Sequence, residues 1–172
     1  MLVLDSCRVS DGETETTVTL ERPDPTHRDV PRWLIEVDLQ TFTENTWSEQ
    51  TAQAVARFGA VFLLRAEGLV IGTCACVRSH SERDTVVLLS MGLMPGWRGR
   101  GLGQWMIGGV LRALARDGAA AVMLQTSSRS ARARKVYEDV GFLVVEMGEL
   151  EPDGERVLVL RAALSLAEAS VA

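Results

Sequence analysis

A mixed α/β fold, a central mixed sheet flanked by helices, is the class this sequence predicts, and three observations carry it. Apolar runs at Ala60–Leu64 and Leu69–Val77, separated by a tight turn at Glu67-Gly68, read as a hairpin. After a third strand, helix-period and strand-period segments alternate, the pattern of strand-helix-strand crossovers. The chain has 172 residues, 47% hydrophobic and 24% charged, and chains of about 150 residues already bury about 68–70% of their unfolded surface. One core is therefore affordable and two would be cramped, so residues 1–172 are expected to form a single domain. With ample apolar content and a net charge of -5, disorder is excluded on composition.

Taken in order, Thr16 to Leu20 is a short strand ended by Arg22-Pro23-Asp24-Pro25. Asp29 can cap a helix with Pro31 in its first turn, running through Leu34, Ile35 and Val37 toward Phe42. A loop through Trp47 leads to Ser48, a second cap, whose helix ends near Gly59. The hairpin follows, then Thr85 to Leu93, a strand apolar enough to be buried on both faces. Beyond a glycine-rich turn, Leu102, Trp105, Met106, Val110, Ala113 and Leu114 recur at helical spacing up to a stop at Gly118. Ala120 to Thr126 is a strand and Ala131 to Val140 a helix closed by Gly141. Phe142 to Met147 and Arg156 to Leu160 are strands around the turn Pro152-Asp153-Gly154. The tail from Ser165 to Ala172 is helical or frayed. The predicted order is β-α-α-β-β-β-α-β-α-β-β.

Composition narrows the setting. Cys7, Cys74 and Cys76 make an odd count with no Cys-x-x-Cys pair, so neither a disulfide framework nor a metal site is expected. Cys74 and Cys76 alternate in an apolar run and read as small hydrophobes on one strand face. No apolar stretch approaches the ~20 residues of a membrane span, and the opening Met1-Leu2-Val3-Leu4 is too short for a signal segment. A soluble cytoplasmic protein is the expectation. Charge is unevenly placed: residues 1–60 hold eleven acids and five bases, whereas residues 94–137 hold eight bases and one acid, Asp117. The second segment suits an anion, while the acidic balance and the lack of a recognition motif argue against nucleic acid.

The turn Pro95-Gly96-Trp97-Arg98-Gly99-Arg100-Gly101-Leu102-Gly103 lies where a strand becomes a helix. Its glycines let a ligand approach the backbone, and the helix behind it adds about half a positive charge at its N-terminus. No Gly-Lys-Ser/Thr follows, so it is not a Walker loop, and Met106 stands where a dinucleotide fingerprint needs its third glycine. The remaining pattern, Arg98-x-x-Gly101-x-Gly103, resembles the pyrophosphate loop Arg/Gln-x-x-Gly-x-Gly/Ala of the GNAT superfamily of acyl-coenzyme A dependent N-acetyltransferases. Downstream, Ser130-x-x-Ala133-x-x-Val136-Tyr137-x-x-x-Gly141-Phe142 resembles the family's Asn-x-x-Ala-x-x-Leu-Tyr-x-x-x-Gly-Phe, at the right distance.

The resemblance implies a GNAT fold and acetyl transfer from acetyl-CoA to an amine by direct attack in a ternary complex, without a metal. Backbone groups of Ser90-Met91-Gly92-Leu93 would hold the pantetheine arm and polarise the thioester. The segment Arg98, Gly99, Arg100, Gly101, Leu102, Gly103 would hold the pyrophosphate, with Ser130 near the cofactor, where it can also cap its helix. Arg129, Arg132, Arg134 and Lys135 either attend the outer phosphate or form a solvated helix face. Tyr137, the one tyrosine of the chain, matches the general acid that protonates the departing thiolate. Leu124-Gln125-Thr126 with Phe42 and Trp47-Ser48 is similar to the subgroup that acetylates protein N-termini, including ribosomal-protein alanine acetyltransferases, in which a glutamate stands at position 125. Gln125 cannot take a proton. A lysine amine costs about 4 kcal/mol to deprotonate at pH 7.4 and an α-amine less than about 1 kcal/mol, which favours a peptide N-terminus or another weakly basic amine. Glu44, Glu36 or a water chain are the remaining candidates for the base. Phe42 is expected in the core, and Trp47 either packs the acceptor pocket or closes the core. A non-catalytic coenzyme A sensing domain, a longer acyl donor, and a homodimer through a sheet edge are left open.

Overall fold

The computed structural model describes residues 1–10, 14–42 and 47–165. Its elements are β1 (Leu2–Ser10), β2 (Glu15–Arg22), α1 (Val30–Thr41), α2 (Glu49–Phe58), β3 (Ala60–Ala66), β4 (Leu69–Arg78), β5 (Thr85–Leu93), α3 (Leu102–Arg116), β6 (Ala121–Ser127), α4 (Ala131–Glu138), β7 (Leu143–Met147) and β8 (Val157–Ala163). The strands form one sheet in the order β1-β2-β3-β4-β5-β6-β8-β7. All neighbours are antiparallel except β5 and β6, which α3 joins as a parallel crossover.

One strand exceeds the expected order. β1 mixes polar and apolar residues without clean alternation and is largely exposed, so it has little hydrophobic signature of its own; pairing with β2 along Leu2 to Ser10 is what makes it a strand. At α2, Ser48 Oγ accepts from the Thr51 N–H at 3.1 Å, the expected cap. Asp29 precedes α1 without a side-chain cap bond, and Pro in the first turn sets that helix instead.

Strand alternation divides the core in two. Phe62 and Leu64 face α3 with Val18, Leu20, Val86, Met106 and Val110, while Val61, Leu63 and Ala75 face α1 and α2 with Leu34, Val37 and Val55. Cys74 and Cys76 lie on the α3 side, fully buried and free, with their sulfurs 3.8 Å apart. α3 rides close to β2, since a Cβ at Gly109 would run into Leu20 Cδ2.

The feature that shapes the site is where the parallel ladder stops. β5 pairs with β6 from Thr85↔Ala121 to Leu88↔Leu124 and no further. Beyond that point β5 stays with β4, after a register shift around Leu89, and β6 stays with β8. The two strands therefore splay. The expected burial of β5 on both faces is corrected accordingly: Leu89 is 47% exposed, because it leaves the ladder where neither helix layer covers it. Among the described residues, no helix is long and apolar enough to cross a membrane.

Candidate active site

The splay opens a cleft of about 420 Å³ between the end of α1, β5 and the facing sides of α3 and α4. Met91, Gly92, Leu93, Arg98, Gly103, Ser130 and Tyr137, remote in sequence, all line it. Gly99, Arg100, Gly101 and Leu102 form the turn beside it. Gly99 and Gly101 have φ of +79° and +76°, with nothing within 4 Å of a built Cβ, so backbone conformation rather than crowding calls for glycine there. Gly101 is also the N-cap of α3, and the first N–H groups of that helix lack intrahelical acceptors. Leu102 contributes its peptide alone, since its side chain is buried in the α3-side core.

The arginines divide by partner. Arg98 donates from Nε to the Leu93 carbonyl at 2.9 Å and from a terminal nitrogen to the Gln40 and Thr41 carbonyls at 3.3 and 3.5 Å. Its guanidinium is a brace between α1 and β5, which leaves its peptide rather than its charge for an anion. Thr41 closes the same joint: its hydroxyl donates to the Val37 carbonyl at 2.7 Å, and a Cβ on Gly92 would lie 2.7 Å from it. Arg100 stacks over Trp97 at 5.1 Å. Arg129 pairs with Asp153 and Glu155, Lys135 with Asp139, and Arg134 donates to the Ser128 carbonyl. Arg132 is exposed on the cleft wall. Ser130 precedes α4 without capping it by its side chain.

Tyr137 is 7% exposed and meets Phe142 edge-on, with ring centroids 5.6 Å apart. Burial, and then the nearby Cys74 and Cys76 thiols, hold its hydroxyl well above the ordinary phenol pKa. It stays protonated throughout the physiological range. Phe42, expected in the core, is 41% exposed on the cleft instead, since α1 ends at Thr41 and Phe42, its extended C-cap, leaves the helix. Trp47 packs against the α1/α2-side core.

Sequence reasoning missed Asp38. It is 3% exposed, and its Oδ1 accepts from Trp47 Nε1 at 3.1 Å and from Ser90 Oγ at 3.2 Å, while Oδ2 is buried with no partner within hydrogen-bond reach among the described residues. Burial raises its carboxyl pKa above the usual range, against the lowering pull of hydrogen bonding from Ser90 and from both the side chain and the backbone of Trp47. A signal existed: Leu34, Val37, Asp38 and Thr41 share the inward spacing of α1, and a carboxylate at core spacing needs a reason. Of the earlier base candidates, Glu36 is exposed in an ion pair with Arg32, and Glu44 lies outside the described residues. A second cavity of about 350 Å³ lies along β5, β6 and β8, lined by Leu89, Met123, Gln125 and Val159. No group of three metal-ligating side chains occurs among the described residues.

The model of the acetyltransferase (GNAT) family matches residues 23–142, from the end of β2 through Phe142. The chain belongs to the GNAT acetyltransferase family. GNAT structures superpose on most of it. The ribosomal-protein-S18-alanine N-acetyltransferase of Escherichia coli aligns with a TM-score of 0.74 at 19% identity, covering 90% of this chain and 99% of the other. Ard1 from Thermoplasma volcanium gives 0.72 at 14% identity, covering 86% and 98%. The NatC complex bound to Gag peptide and CoA gives 0.72 at 13% identity, covering 86% and 99%. At these identities the likeness is one of GNAT fold. No curated protein sequence matches the chain significantly.

Proposed function

We propose that this acetyltransferase moves an acetyl group from acetyl-CoA to a primary amine, either a protein N-terminal α-amine or a small amine, by direct attack in a ternary complex. The observation that carries the reading is the splay beyond Leu88 and Leu124, which opens a cleft between the glycine turn and Tyr137. The donor suits that cleft. Peptide groups on the edge of β5 from Leu89 to Leu93, without a ladder partner toward β6, can bond the pantetheine arm and polarise the thioester carbonyl. The first turn of α3 and the left-handed glycines before it offer N–H groups to the pyrophosphate. Tyr137 donates to the leaving sulfur and, with its raised pKa, acts as a held donor that does not persist as phenolate.

The acceptor enters from the other face, along the cavity of Leu89, Met123 and Gln125. Gln125 can orient an amine by hydrogen bonding but cannot deprotonate it, which favours an α-amine over a lysine side chain. The E. coli structure is a ribosomal-protein-S18-alanine N-acetyltransferase and the NatC complex holds a Gag peptide and CoA, and both support the same acceptor class. We assign the reaction to the cytoplasm, an assignment supported by the free thiols Cys7, Cys74 and Cys76.

The test is acetyl-CoA turnover against a panel of small amines and peptides with different N-termini, with coenzyme A affinity measured by calorimetry. Transfer to at least one amine is expected. Tyr137→Phe should keep folding and coenzyme A affinity while lowering kcat by about 10²–10⁴-fold. Tight coenzyme A binding without transfer to any amine would replace this reading by a sensing domain.

A further inference from the structure

Resting on the acetyl-transfer reading, we infer that Ser90 and Asp38 together remove the proton the acceptor amine must lose, with Ser90 receiving it on the acceptor side of the splay and Asp38 holding it behind. The placement is particular. Ser90 stands on β5 two residues past Leu88, where the ladder to β6 ends, and directly before Met91 and Gly92 of the cleft wall. Its partner across β4 is Ala75, a member of the α1/α2-side core, so Ser90 points to that face. Val122 and Leu124 pack on the α3 side, and alternation then puts Gln125 on the face shared with Ser90. The hydroxyl is thus on the acceptor side of the splay, only half-buried, and already donates to a carboxylate.

Asp38 completes the pair from α1, one turn before Thr41 of the cleft wall. The Trp47 and Ser90 side chains hold one carboxylate oxygen and the Trp47 backbone adds to the pull on the group, while Oδ2 is buried with no partner within hydrogen-bond reach among the described residues. A carboxylate kept out of water at this cost needs a reason beyond packing. Among the described residues, its surroundings supply no countercharge. β5 has no ionisable side chain, β4 has Arg78 at its far end and Cys74 and Cys76 on the opposite face, and α2 has Glu49 and Arg57. Arg98 reaches α1 but is bonded to the carbonyls of Gln40 and Thr41.

The proton account closes. The acceptor ammonium gives one proton to Ser90 Oγ as Ser90 gives its own to Asp38, so the carboxylate becomes a carboxylic acid and the amine neutral. The amine nitrogen then bonds to the thioester carbon and the carbon–sulfur bond breaks. Tyr137 donates its proton to the sulfur and recovers one from the amide nitrogen, and Asp38 returns its proton to solvent after release. An ordinary carboxylate lies about 4 pKa units below an α-amine, and the upward shift of Asp38 narrows that gap. Asp38 acts through Ser90 and is a positioning residue in this scheme.

Asp38→Asn, Ser90→Ala and, as a control, the exposed Glu36→Gln are compared in full-length protein. Readouts are coenzyme A affinity, and kcat with its pH profile on an acceptor from the panel. Wild-type kcat should fall as pH drops and Asp38 protonates. Asp38→Asn should lower kcat by about 10²-fold and lose that acid limb, with coenzyme A affinity kept; because the acceptor is the same, ionisation of the amine cancels. Ser90→Ala should reproduce the loss, the double variant should be no slower than either single one, and Glu36→Gln should match wild type. If Asp38→Asn does not fold, Ser90→Ala decides. Wild-type kcat and an unaltered acid limb in either variant overturn the inference while acetyl transfer stands. If the wild type acetylates nothing in the panel, the acetyl-transfer reading fails and this inference fails with it.

Discussion

A single carboxylate on an apolar helix face has consequences for stability as well as for chemistry. Asp38 keeps its proton to higher pH in the folded chain than in the unfolded one, since burial raises its pKa from an ordinary value near ~3.9. The folded state therefore binds more protons in that interval, and stability attributable to this group falls as pH rises through its folded pKa. Asn at the same place does not titrate. The melting temperature of Asp38→Asn relative to wild type should rise as pH increases above the ordinary carboxylate pKa of about 4; a difference that stays constant with pH would contradict the shift. At this scale the sequence was informative where chemistry is local. Gly99 and Gly101 stand at left-handed positions, and the only tyrosine lines the cleft. The core spacing of Asp38 was visible in the sequence but its role was not, because that depends on Ser90, which is 52 positions away, and on Trp47 beyond the end of its helix.

Among the elements, α3 links the core to the site, since its N-terminus carries the glycine turn and its middle presses on β2. At Gly109 the helix has no room for a side chain, because a Cβ there would collide with Leu20 Cδ2. Gly109→Val should push the helix away from the sheet and cost about 1–3 kcal/mol in denaturant unfolding, together with weaker coenzyme A binding as the turn shifts. Unchanged unfolding would mean that Leu20 yields freely. Helices and central strands were readable from period and capping, with β5 matching its expected span. β1 was not, because an exposed edge strand is specified by the strand it pairs with.

Over the whole molecule, charge is more local than the sequence sum suggests. The basic segment from 94 to 137 carries eight bases against one acid, yet Arg98 is bonded to backbone carbonyls and Arg129 and Lys135 to neighbouring acids. The acidic first third is likewise spent in part, through Asp5 with Arg112 and Glu21 with Arg65. The remaining field at the cleft rests more on Arg132. Arg132→Ala should weaken coenzyme A binding several-fold at low salt and flatten its salt dependence, whereas Arg129→Ala should alter neither. Equal effects in a binding titration would restore the diffuse field.

From the amino acids alone came the layered α/β class, the phosphate-type turn and the tyrosine, because periodicity, capping and left-handed glycines are decided within a few residues. Tertiary structure decided the rest. Only the assembled sheet shows that the β5–β6 ladder stops at Leu88 and Leu124, that Arg98 is a brace, and that a carboxylate from α1 lies behind Ser90. Such features depend on strand register and on the distance of closest approach between elements, which arise from packing between residues far apart in the chain.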